Sequence, residues 1–200
     1  VRPGKIGFLA ILTGLCVVLA GCGRPPAEPE QDAIQPGGPG LSQADVQRQD
    51  AVTRWANDYC IAVGSLVDDL ATMPSVDPST PRRAVQTSSD LLGSMIGGLD
   101  KAVHGLQALA ASPVPEGDAV RTNTVTELTG VRTRAAEAKQ HLDDAGDDPT
   151  IDQNTLGEAR GPLDEVSKLN LLAGFETVPD LQTAAAHAPV CQQLTVRTTP

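Results

Sequence analysis

Residues 52–73, VTRWANDYCIAVGSLVDDLATM, carry the pattern that decides the fold. Their apolar positions Val52, Trp55, Tyr59, Ala62, Leu66, Leu70 and Met73 are separated by 3, 4, 3, 4, 4 and 3 residues. Steps of three and four return a side chain to the same face of a helix, whereas a strand alternates with period two, so the stretch predicts one amphipathic α-helix. Upstream, Ser42 with Asp45 forms a capping signature, because the hydroxyl and the carboxylate each take up a backbone N–H of the first turn. Downstream, Met73 precedes Pro74, and a residue before proline is driven out of helical dihedrals. A first helix from Ser42 to about Thr72 follows.

The same periodicity recurs along the chain. After Thr80-Pro81, a cap followed by proline at the first helical position, Leu92, Met95, Leu99, Ala102, Leu106 and Leu109 share one face until Pro113 and Pro115 end the helix. A third helix is expected from about Glu116 to Ala145, with Leu128, Val131, Ala135, Ala138, Leu142 and Ala145 in phase and Gly146 as the stop. A fourth, from Ile151 to about Ala173, keeps Leu156, Ala159, Leu163 and Val166 in phase, but Gly157, Gly161 and Pro162 should kink or split it. A short last helix is expected over Pro179 to His187, before a turn through Pro189 to Cys191. No useful run of alternating Val, Ile, Tyr or Phe predicts a strand. The expected architecture is therefore all-α, a four-helix up-down bundle with a short C-terminal helix, occupying residues 42–200. At 200 residues and 40% hydrophobic content the chain has material for one ordinary core.

The residues before this body have another character. Arg2 and Lys5 precede an apolar run of 14 residues, Ile6 to Leu19, too short for a span of about 20 residues. Val1 fits a GTG start codon read literally or a fragment, and the signal that follows favours the former. The run ends in Leu19-Ala20-Gly21-Cys22. These four residues resemble the lipobox of bacterial lipoprotein precursors: Leu, a small residue, Gly or Ala, then Cys. The resemblance implies that residues 1–21 are a signal peptide and that the Cys22 thiol receives diacylglycerol, with palmitate-type chains. Cys22 then becomes the first residue of a protein held at the extracytoplasmic face of the cell membrane. One acyl chain holds weakly and two anchor stably. Only the lipobox is specific; with the Ala-rich helical body and the high-GC flavour of a chain with just four lysines, the resemblance is to small actinobacterial lipoproteins, and implies an address without an activity.

Residues 22–41 read as a lipidated cysteine and a disordered linker, since Pro25, Pro26, Pro29, Pro36 and Pro39 alternate with glycines and almost nothing is apolar. Extended, such a linker reaches on the order of 50 Å. Under the lipoprotein reading Cys16 leaves with the signal and Cys22 carries lipid, so Cys60 and Cys191 remain in an oxidising compartment and should pair. The alternative is a metal site from Cys60, Cys191 and His187, whose helical four-residue spacing Pro189 interrupts.

Net charge of −10 and pI near 4.6 argue against a nucleic-acid partner, which needs clustered cations. The histidines His104, His141 and His187 belong to no recognisable catalytic motif, and His104 and His141 read as surface residues. Asp143, Asp144, Asp147, Asp148 and Asp152 suggest calcium by composition but lack EF-hand spacing. Trp55 and Tyr59, one turn apart, read as core more than as a stacking platform, with Phe175 the one other aromatic after the signal. Ser89, Gly93 and Gly97 either let helices approach closely or leave a cavity. The expectation is a non-enzymatic envelope lipoprotein with no cofactor and no metal, anchored by its lipid and acting through protein or envelope contacts. The alternative is a helical binding module for a lipid or small apolar ligand, and an envelope enzyme is the third reading.

Overall fold

The computed structural model describes residues 42–145 and 153–198. The expected signal peptide (residues 1–21), the lipobox-like residues Leu19, Ala20, Gly21 and Cys22, and the expected linker lie outside the described residues, as do Gly146, Asp147, Asp148 and Asp152.

Among the described residues the chain is all-helical, with eight helices and no strand: α1 Gln43–Ala71, α2 Pro81–Ala108, α3 Pro115–Ala145, α4 Gln153–Glu158, α5 Arg160–Ser167, α6 Ala173–Glu176, α7 Pro179–His187 and α8 Pro189–Thr198. The capping signature forms as the sequence suggests. The Asp45 N–H donates to Ser42 Oγ and the Ser42 N–H donates to Asp45 Oδ2, both at 3.2 Å. At α2 the Arg83 N–H donates to Thr80 Oγ1 at 3.2 Å, with Pro81 in the first turn where no N–H is needed.

The fourth expected helix is split. Pro162 lacks the N–H that would bond four residues back, and the chain resolves into α4 and α5 on either side of Ala159. It also stops at Ser167, earlier than the expected Ala173, because Asn170 Oδ1 accepts the Leu172 N–H at 3.1 Å and turns the backbone aside. The expected turn at Pro189 is instead the first residue of α8. Ala188 is extended, with ψ of 118°, so α7 ends there, and Pro189 can open a helix. The free Val190 N–H of that new first turn donates to Asn57 Oδ1 on α1 at 3.2 Å.

Contacts run antiparallel between consecutive long helices. From α1 to α2, Asp69 meets Lys101 and Trp55 Nε1 donates to the Ala110 carbonyl just past α2. From α2 to α3, Asp100 meets Arg132 and Ser89 meets Asp143. α7 and α8 pack on α1, and α5 packs on α3. The buried layer contains the residues the periodicity selects, including Leu66, Leu92, Met95, Leu99, Leu128 and Leu142. Each such leucine contributes about 1.5–3 kcal/mol by leaving water.

The small residues of α2 divide by face. Ser89 is buried and bonded to Asp143 and Lys139, and Gly93 lies beneath the Lys139 stem. Gly97 faces open space, and close helix approach belongs instead to Gly98 and Gly105. A Cβ on Gly105 would stand 2.9 Å from Ala62 Cβ. Gly105→Val is expected to cost about 1–3 kcal/mol through this overpacking. Gly97→Ala, in a helix with nothing within 4 Å, is expected to add about 0.5–1 kcal/mol by restricting the unfolded chain. Urea midpoints of the two variants, displaced in opposite directions from wild type, check both.

Candidate functional site

Trp55 and Tyr59 project from α1 into the core, where Phe175 of α6 completes an aromatic cluster. Ring centroids lie 5.7 Å apart for Trp55–Tyr59, 4.8 Å for Tyr59–Phe175 and 6.3 Å for Trp55–Phe175. All three are buried, so their faces pack against one another and not against a stacked ligand. The Tyr59 hydroxyl reaches the far edge of this cluster, sharing a hydrogen bond with Thr124 Oγ1 at 2.7 Å and donating to the Leu171 carbonyl at 3.2 Å. Burial pushes its pKa up to about 12, with the Glu127 carboxylate adding in the same direction against the opposing Thr124 hydrogen bond.

Just outside that hydroxyl, α3 and the segment 170–178 diverge to form an open groove of about 480 Å³. The two are in close contact at Gly174, where a Cβ would meet Val120 Cγ1 at 2.5 Å. Any larger residue there would force Val120 or α6 to shift. The α3 wall carries Glu116, Asn123, Thr124 and Glu127; the opposite wall carries Asn170 and Thr177. Ala119, Val120, Ala173 and Val178 form the apolar part of the lining. Sequence reasoning missed this groove, because its α3 residues fall on the polar side of the helix and only the fold sets residues 170–178 against them.

The structure brings Cys60 of α1 and Cys191 of α8 to bonding distance, with S–S 2.04 Å and Cα–Cα 5.2 Å, both fully buried. With each sulfur bound to the other, His187 stays exposed at the end of α7 and the three form no ligand set. Among the described residues, no group of three His, Cys, Asp or Glu side chains is arranged to hold a metal. Asp143, from the acidic run, is engaged by Lys139 Nζ at 2.7 Å and by Ser89, which hold its carboxyl below the ordinary carboxylate range. His104 is exposed, and His141 Nδ1 lies 2.9 Å from Glu158 Oε2 on the surface. No described helix is long and apolar enough to cross a membrane. In comparisons with protein-family models, with curated proteins and with solved structures, the chain matches none.

Proposed function

We propose that the chain is a lipid-anchored protein of the cell envelope, held at the extracytoplasmic face of the membrane through Cys22 and working without catalysis, through contacts made by its helical body. The observation that carries this reading is the meeting of Cys60 with Cys191, 131 residues apart. A buried structural pair of this kind fits an oxidising compartment. It supports the export signal by an argument independent of residues 1–22, and it leaves Cys22 as the mature thiol available for lipid.

The body fits a four-helix up-down bundle in which α1, α2 and α3 are three members and the short C-terminal helices together fill the fourth place. Support comes from the antiparallel α1–α2 and α2–α3 contacts and from the return of α7 and α8 to α1. The α3–α6 groove has carboxylate, amide and hydroxyl groups in its lining, which suits a polar ligand better than the lipid tail of the alternative reading.

Peptide mass spectrometry of the native membrane fraction tests the anchor. The N-terminal peptide should begin at a diacylglyceryl Cys22, and Cys22→Ala should shift the protein out of that fraction or leave it unprocessed. An unmodified Cys22 in the wild-type protein would overturn the lipid anchor.

A further inference from the structure

Cys60 has room for one partner in the folded body. Its side chain and that of Cys191 are fully buried. One turn to either side of Cys60, α8 is seated on α1: the Val190 N–H donates to Asn57 Oδ1 at 3.2 Å, and Leu194 Cδ2 lies 3.7 Å from where a Cβ on Gly64 would stand. A stretch of chain joined to Cys60 from anywhere else has no space there unless α8 leaves α1.

Before the body folds, loop closure sets the choice of partner. Cys22 is 38 residues from Cys60, whereas Cys191 is 131 residues away. Closure becomes rarer as about the 3/2 power of loop length, so an unfolded chain with all three thiols free favours Cys22–Cys60 over Cys60–Cys191 about sixfold. Either pairing consumes two thiols and passes two electrons and two protons to a disulfide oxidant, which becomes the dithiol. The wrong one leaves Cys191 as a thiol and α8 without its covalent tie. Export from the N-terminus adds to the bias, because Cys60 then reaches the oxidising side 131 residues ahead of Cys191.

We propose that acylation of Cys22 is also a thiol block that secures the Cys60–Cys191 pair. In that step the Cys22 sulfur bonds to a glyceryl carbon of a phospholipid and the bond from that carbon to the phosphate oxygen breaks. The phosphorylated headgroup departs with the electron pair, and the thiol proton is released. The resulting thioether has no S–H, so it neither attacks a disulfide nor joins one. This role rests on the envelope reading of Cys22 and extends it from anchoring the body to directing its folding.

Three proteins test it: the native protein from the membrane fraction in neutral detergent, the chain 22–200 made without lipid, and the Cys22→Ala variant of that chain. Each is reduced in urea, oxidised while unfolded with one equivalent of glutathione disulfide, and mapped as non-reduced peptides by mass spectrometry. The unlipidated chain should give Cys22–Cys60 in about sixfold excess over Cys60–Cys191. The lipidated protein and Cys22→Ala should give Cys60–Cys191 as their intramolecular disulfide. Returned to native buffer, the mispaired fraction should leave Cys191 open to a maleimide, as an undocked α8 requires. An excess of Cys60–Cys191 in the unlipidated chain, or a Cys22–Cys60 species whose Cys191 stays closed to the maleimide, would overturn the block alone. An unmodified Cys22 in the native protein would overturn the envelope reading and the block with it.

Discussion

Cys60→Ala combined with Cys191→Ala is expected to lower the stability of the body by about 2–5 kcal/mol. The bond closes a loop of 131 residues, and constraining so long a stretch of the unfolded chain is the main source of its effect. For a body of this size each kcal/mol moves the midpoint of thermal unfolding by about 2–4 °C, so a fall of roughly 4–20 °C is expected. The effect should be uneven in space. α8 has just two buried residues among its described side chains, Cys191 and Leu194, whereas α2 and α3 are held by a continuous leucine layer. Loss of the bond should therefore raise amide exchange first in α8 and next in α7, with α2 and α3 last. Trp55, the sole tryptophan, is buried beside Tyr59 and reports global unfolding by its fluorescence in urea. A double variant with an unchanged urea midpoint and unchanged exchange in α8 would show that packing, and not the covalent link, holds the tail.

The three long helices were legible because their burial is decided locally. The stripes through Leu66, Leu99 and Leu128 need only a 3.6-residue period, and Ser42 and Thr80 mark helix starts by chemistry within three residues. The C-terminal third was less legible because its boundaries depend on single side chains. Asn170 can either continue a helix or turn its amide onto the backbone, and Pro189 can equally stop one helix or begin another. Of the candidate sites, the Cys60–Cys191 contact followed from cysteine accounting. The α3–α6 groove did not, since Gly174 and Val120 are 54 residues apart and nothing local links them. Phe175 has the same history: an isolated aromatic in sequence that tertiary packing sets against Trp55 and Tyr59.

That cluster yields the second large effect, which depends on pH. Tyr59 is the only tyrosine, so phenolate absorbance reports this one group. Its folded pKa of about 12 lies above the ordinary value of 10.0. Below pH 10 the phenol is protonated in both folded and unfolded chains and contributes no pH dependence. Between pH 10 and 12 the unfolded chain releases the proton while the folded chain retains it, so stability falls as pH rises, by about 1.4 kcal/mol per unit. By pH 12 the loss attributable to Tyr59 is about 2–3 kcal/mol. The contribution is isolated by comparison with Tyr59→Phe, which keeps every other group. At neutral pH this variant should be about 1–2 kcal/mol less stable than wild type, because the Leu171 carbonyl loses its donor. As pH rises above 10 the gap should close and then reverse, since phenylalanine has no proton to release in the unfolded chain. A native phenolate titration centred near 10, or a gap between the two proteins that stays constant from neutral pH to pH 12, would place the Tyr59 hydroxyl in water and remove the buried contact with Thr124 on which the inner wall of the groove depends.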